Sequence, residues 1–250
     1  LLYLFLAFSF LLGLMVGSFL NVVIYRLPRG EGIVWGRSRC PACGETLRWY
    51  DLIPLLSYIW LRGRCRYCSG PISWRYPLVE LLSGLLVLAV AYRFGPSFVA
   101  LKYYFLLACL LVASFTDLEH YLIPNRLVLV MLVLSLPLGL LARDVDFRSA
   151  LLGAGVTGGF LSFLALISPL GGGDVKLSAV VGLYLGWPWT FLGMFLGCFL
   201  AGVVGLILMA LGIKRRKDFI PLGPFLALGF FLSLFYGKEI WAWYLRYLGF

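Results

Sequence analysis

The chain has 250 residues, of which 62% are hydrophobic and only 13% charged. Soluble domains carry roughly 45–50% apolar and about 25% charged residues, so disorder, a coiled coil and an ordinary soluble enzyme are all excluded. Twenty-one Lys and Arg against 11 Asp and Glu give a net charge of +10, which in so apolar a chain speaks of membrane topology and anionic headgroups, not of nucleic acid.

Apolar runs long enough to cross roughly 30 Å of hydrocarbon, about 20 residues each, fall near 3–25, 77–94, 99–117, 127–142, 149–168, 175–188, 189–212 and 221–237. The fourth and sixth are short, and Gly186-Trp187-Pro188 makes a tight corner after the sixth. The pattern predicts an all-α polytopic membrane protein of about eight transmembrane helices with one long loop, whose paired cysteines make it a zinc-knuckle loop. It divides into a first helix at 1–25, a loop at 26–76 and a seven-helix membrane domain at 77–250. The first run has no positive start and no small-residue cleavage site, so it does not read as a cleaved signal peptide.

Placing residue 1 outside gathers fifteen of the 21 basic residues inside: nine Arg between Arg26 and Arg75, then Arg126, Lys176 and the cluster Lys214, Arg215, Arg216 and Lys217. Positive charge marks the cytoplasmic side. Both termini are therefore expected outside, and the loop at 26–76 in the cytoplasm.

Small residues recur as Gly13-x-x-x-Gly17, Gly155-x-x-x-Gly159 and Gly193-x-x-x-Gly197, a spacing that suits close helix packing. Gly153 to Gly158 also matches G-x-G-x-x-G, but no strand precedes it, so helix packing is the better account.

Four cysteines form Cys40-x-x-Cys43 and, 21 residues later, Cys65-x-x-Cys68. In a reducing cytoplasm such pairs bring four thiolates to the corners of a tetrahedron, with Gly44 and Gly70 supplying the turns, and point to a structural zinc site. Local or crossed disulfides are the alternative if the topology is inverted. Cys109 and Cys198 stand alone inside spans and read as small core residues.

Two acidic residues stand out because a carboxylate at membrane depth costs several kcal/mol. Asp117 lies in Phe115-Thr-Asp-Leu-Glu-His-Tyr-Leu-Ile-Pro-Asn125, where Pro124 stops the helix, and Asp174 follows Gly171, Gly172 and Gly173. The topology lands both at the cytoplasmic face. Two close carboxylates sharing one proton can activate water on a peptide carbonyl, as in aspartic proteases. Spacing alone leaves open the alternative that Asp174 caps a helix and Asp117 is a solvated helix end. His120 reads as a base or as a solvated surface residue, and Lys176 as a partner for Asp174 or a residue that snorkels to headgroups.

These blocks resemble the type IV prepilin peptidases. The resemblance covers Gly17-Ser-Phe-Leu-Asn-Val-Val-Ile-Tyr-Arg-Leu-Pro28, the paired cysteines followed by Ile72-Ser-Trp-Arg-Tyr-Pro-Leu-Val-Glu80, the Asp117 segment, Gly171-Gly-Gly-Asp-Val-Lys176, and Pro221-Leu-Gly-Pro-Phe-Leu-Ala-Leu-Gly229. It departs from the family at Ser168-Pro169-Leu170, where many relatives have a longer stretch, and at Asn125, where Asp is common.

The resemblance implies an aspartic endopeptidase of the bacterial inner membrane that removes the basic leader of type IV prepilins and type II secretion pseudopilins. Asp117 and Asp174 would be its catalytic pair. It further implies S-adenosylmethionine-dependent methylation of the new N-terminus, tied to residues 17–80 with Gly63 and Glu80 as candidates; a peptidase without that second activity is the near alternative. Glu119 and Glu80 are candidate attractors for the basic leader. Lys176, Gly171 to Gly173, Pro221 and Pro224 are candidate substrate contacts, and the two prolines should keep the rim of the last span non-helical. A proton or cation transporter using the two aspartates, or a scaffold displaying a zinc knuckle, are the competing classes; a transporter should show repeats, which the sequence lacks.

Overall fold

A computed structural model describes residues 1–33, 36–167, 170–215 and 218–247. Ser168 and Pro169, where the sequence departs from its relatives, and Arg216 and Lys217 of the basic cluster lie outside the described residues. Among the described residues the structure is helical, with two isolated β-bridges and no strand. The helices are α1 (Leu2–Arg26), α2 (Leu56–Trp60), α3 (Arg75–Phe94), α4 (Phe98–His120), α5 (Asn125–Ala142), α6 (Phe147–Ile167), α7 (Gly172–Leu185), α8 (Trp189–Ala210) and α9 (Gly223–Tyr247).

All eight expected spans are helices, and seven of them are long and apolar enough to cross a membrane. The exception is α7, whose 14 residues reach about 21 Å at 1.5 Å per residue. The last helix is longer than its apolar run, because Lys238 and Glu239 fall inside a continuous helix to Tyr247.

The chain forms two compact units, Leu1–Ala100 and Leu101–Phe250. In the first, α1 and α3 pack antiparallel through glycine. A Cβ on Gly13 would stand 2.8 Å from Gly84 Cα, and one on Gly17 2.7 Å from Glu80 Cα. Asn21 fastens the same pair by donating to the Tyr76 carbonyl at 3.0 Å.

In the second unit α8 and α9 meet in the same way. A Cβ on Gly193 would stand 2.7 Å from the Phe230 ring, and one on Gly197 2.8 Å from Leu226 Cα. The third small-residue pair behaves differently: a Cβ on Gly155 or Gly159 would meet nothing within 4 Å. Gly153 makes the contact instead, against Gly186, while Gly182 of α7 leaves no room for a Cβ beside Ala154. Two residues turn a helix by about 200°, so Gly155 faces away from the partner that Gly153 meets.

The short α7 reaches both ends of its unit. At its start a Cβ on Gly173 would stand 3.0 Å from Ile123, in the link after α4. Near its end the Lys102 ammonium, in the first turns of α4, donates to the Tyr184 carbonyl at 3.1 Å and pairs with Asp144. The Tyr184 hydroxyl donates to the Met131 carbonyl of α5 at 2.6 Å. Lys102 is 1% exposed, and a buried ammonium is tolerable only when its protons are met by acceptors, as here.

Candidate active site and cysteine cluster

Asp117 closes the last turn but one of α4. The helix ends at His120 because Tyr121 takes a left-handed conformation at φ 54 while its amide returns to the Asp117 carbonyl at 2.9 Å. Pro124 comes later and caps α5, so the terminator is Tyr121 and not the proline. The Asp117 carboxylate is turned inward, 6% exposed, and its Oδ2 accepts the Gly223 N–H at 2.8 Å.

That donor is the first residue of α9, where amides lack intrahelical partners and the helix dipole presents positive charge. A Cβ on Gly223 would stand 2.9 Å from Asp117 Oδ2, so only glycine lets the backbone come this close. Pro224 sits in the first turn, where its missing N–H costs nothing. The rim is therefore helical from Gly223 onward, and only Pro221 lies in non-helical chain. Sequence reasoning singled out the prolines and missed the glycine between them.

Asp174 lies at the third position of α7. Gly171 is the N-cap and no side chain caps the helix, so the capping alternative does not describe Asp174. It is 8% exposed, and its Oδ1 is buried without a hydrogen-bond partner. The three glycines before it have φ outside the left-handed region; they supply room, since a Cβ on Gly171 would stand 3.1 Å from Asp174 Oδ2. Gly173, next to Asp174, packs on Ile123 in the link that follows Asp117, so both carboxylates belong to the same end of the unit. Asp117 is likewise no solvated helix end. The fold thus collects two buried carboxylates at one end of the second unit, one held by an amide and one with an oxygen free.

The remaining candidates sit at the edge of this pair or elsewhere. Glu119 is exposed and lies 4.0 Å from His120 Nε2. Lys176 is also exposed and donates to Asn125 Oδ1 at 3.1 Å, tying α7 to the start of α5. Glu80 belongs to the first unit, buried on α3, where it accepts the Leu55 N–H at 2.9 Å. Gly63 takes φ 68 beside Arg62 at φ 52, and the Arg64 amide closes the turn on the Leu61 carbonyl at 3.0 Å. Two left-handed residues in that arrangement form a type I′ turn, which favours glycine.

The four loop cysteines converge, their sulfurs all within 4.8 Å of one another. Each pair sits on the same knuckle. The Cys40 amide returns to Glu45 and that of Gly44 to Cys40, while the Cys65 amide returns to Gly70 and that of Ser69 to Cys65. The left-handed position is held by Gly44 in the first knuckle but by Ser69, φ 57, in the second. Gly70 is needed for space, since its Cβ would stand 3.3 Å from Cys68 Sγ.

Burial pushes the Cys40 thiol up, but the amides of Cys43 and Ala42 and the neighbouring thiols outweigh it and bring it down to about 7. The Glu45 amide favours ionised Cys43, yet burial and the Cys40 and Cys68 sulfurs push it up to about 12. Four thiols crowded this way resist collecting negative charge until a cation shares it. A tetrahedral zinc with Zn–S of about 2.3 Å needs sulfurs roughly 3.8 Å apart, close to the 4.0 Å between Cys40 and Cys68. The residues fit such an ion.

Around the cluster, Arg66 Nε donates to Asp51 Oδ1 at 2.7 Å and the Tyr67 hydroxyl to Oδ2 at 3.1 Å. Burial pushes Asp51 up, but Arg66, the Arg48 amide and Tyr67 together hold it below the usual carboxylate range.

These features define a class, the multi-pass helical membrane protein with a buried aspartate pair and a four-thiol loop. Residues 11–94 match the model of the bacterial peptidase A24 N-terminal domain, and residues 104–206 that of the type IV leader peptidase family. A prepilin leader peptidase/N-methyltransferase of Myxococcus xanthus is 46% identical, covering 85% of this chain and 65% of that protein. Proteins of the same name from Burkholderia pseudomallei and Aeromonas hydrophila are 38% and 36% identical, covering 94% and 97% of this chain and 87% and 94% of their own lengths. No solved structure matches the chain. The chain belongs to the type IV leader peptidase family.

Proposed function

We propose that this protein is a bifunctional enzyme of the bacterial inner membrane. It cleaves the leader of type IV prepilins and type II secretion pseudopilins at the cytoplasmic face, then methylates the new N-terminus with S-adenosylmethionine. The observation that carries the first activity is the pair of buried carboxylates, Asp117 and Asp174, gathered at one end of the second unit.

Sharing one proton, such a pair removes a proton from water with one carboxylate while the other acid donates to the scissile carbonyl. The proton taken from water is then passed to the peptide nitrogen, and the tetrahedral carbon collapses, expelling the amine that becomes the mature N-terminus. The Gly223 amide, fixed at 2.8 Å from Asp117, orients that carboxylate through the cycle. Glu119, exposed two residues beyond Asp117, attracts the basic leader, and the small surface of Gly171 to Gly173 leaves room for extended substrate. Lys176, through Asn125, holds α7 in register with α5.

The second activity belongs to the first unit. S-adenosylmethionine, when bound, would supply an electrophilic methyl group to the released amine, leaving as S-adenosylhomocysteine while the amine loses a proton. Gly63 and Glu80 act by shaping the loop that receives it, one through its I′ turn and the other through the Leu55 amide. Zinc at Cys40, Cys43, Cys65 and Cys68 staples that loop and does no chemistry, because four sulfur ligands leave it no open position. By sequence the division is a first helix at 1–25, the cysteine loop at 26–76 and a seven-helix membrane domain at 77–250 that carries the aspartate pair, with its first helix, α3, serving the methyl-transferring unit.

Cleavage of a prepilin in membranes by wild type, Asp117→Asn and Asp174→Asn tests the assignment. Each substitution should lower cleavage by about 10²–10⁴-fold or more; substantial processing by either variant sinks the dyad.

A further inference from the structure

One apolar surface is used neither by the aspartate pair nor by the cysteine cluster. It begins at Leu55, whose backbone is held at φ 60 with the Leu56 amide bonded to the Pro54 carbonyl at 2.6 Å. This is a γ-turn of the strained hand. Its amide is met by Glu80 Oε2 at 2.9 Å.

That contact sets the depth of the turn. Glu80 lies one and a half turns into α3, about 7 Å along the axis from Arg75. On α1 it is level with Gly17, which lies about 13 Å along that helix from Arg26. Helical side chains lean toward the N-terminus, so the carboxylate and the amide it holds sit closer to the rim than the Glu80 backbone. The loop therefore folds back beside the ends of α1 and α3, and the Leu55 amide is satisfied by protein there.

From that point α2 runs Leu56–Trp60. Leu56, Ile59 and Trp60, at i, i+3 and i+4, share one face and are 63%, 70% and 84% exposed. Leu52 and Ile53, just before the turn, are 36% and 37% exposed. Away from this face, the Tyr58 hydroxyl packs over Gly63 inside the loop. The exposed Arg62 and Arg64 follow, leading straight into Cys65.

We infer that the face formed by Leu52, Ile53, Leu56, Ile59 and Trp60 is a membrane anchor that beds into the headgroup–acyl boundary of an anionic bilayer. Apolar side chains at this depth remove their surface from water, Trp favours the interface, and Arg62 and Arg64 meet lipid phosphates. The anchor fixes the second cysteine knuckle against the membrane surface, so the loop is held at both ends by spans and in its middle by lipid. The Glu80–Leu55 contact that shapes the loop for the proposed methyl transfer thus also sets its depth.

The test uses the full chain in nanodiscs of mixed phosphatidylcholine and phosphatidylglycerol carrying a spin-labelled lipid, with the label either near the glycerol or near the chain end. Subtracting the emission of Trp60→Phe from that of the wild type isolates Trp60, and equal bound zinc in the two proteins checks that the loop is intact. The Trp60 component should be quenched at least about twofold more by the shallow label than by the deep one, as an interfacial Trp is. No quenching by either label overturns the anchor. So does a Trp60 component that is insensitive to lipid and changes only when a pilin helix is added, which would make the face a protein-docking surface.

Discussion

Asp117 and Asp174 are held in different ways, and the difference rests on a residue with no side chain. Gly223 brings an α9 amide to 2.8 Å from Asp117, whereas Asp174 keeps a free oxygen. Gly223→Ala places a methyl group 2.9 Å from Asp117 Oδ2, forcing a shift of several tenths of an ångström in a site where misplacement of about 1 Å can cost about 10²-fold. Prepilin cleavage by this variant should fall about 10²-fold, while methylation of pilin cleaved beforehand stays near the wild-type rate; an equal loss of both would point to general misfolding. The two aspartates were legible in the sequence because charge is rare in so apolar a chain. Gly223, Tyr121 and Ser69 were not, since their importance lies in a backbone approach or a left-handed φ that side-chain identity does not encode.

Among the elements, the spans were readable because hydrocarbon thickness dictates run length. Which glycines would meet a partner was not, as the difference between Gly153 and Gly155 illustrates: spacing defines faces but not the neighbour each face receives. The cysteine loop was legible for a different reason, since two equal spacings of sulfur fold into two equal knuckles whatever surrounds them. Its stability should depend on metal. Removing zinc with a chelator, or replacing Cys65 with Ser, should unfold the loop, lowering methyl transfer more than tenfold while cleavage stays within about twofold, as expected of a structural site remote from the peptidase chemistry. Metal analysis and both assays on the same preparation check this, and a zinc-free protein with four reduced thiols and full methylation would remove the site from the account.

The molecule as a whole divides where its two family matches divide. Residues 11–94 fall within the unit Leu1–Ala100, and residues 104–206 within Leu101–Phe250, so each proposed activity has its own compact body. The charge bias expects the α3–α4 link outside and the α8–α9 link inside. Ser97→Cys should therefore react with a membrane-impermeant maleimide in intact cells, whereas Lys214→Cys should react only after the membrane is opened; the reverse pattern would invert the topology.

Helix α7 bears on where the proposed aspartate pair would cut. It is pinned near its far end by the Lys102 ammonium on the Tyr184 carbonyl, and its 14 residues reach only about 21 Å of the roughly 30 Å of hydrocarbon. Asp174 thus sits at a set distance, about 15 Å along the helix, from that anchored end. On the proposed role of Asp174, α7 would work as a ruler: the scissile bond would be selected by how far a substrate's apolar helix lifts it above the membrane core, and lipid thickness would become part of the specificity.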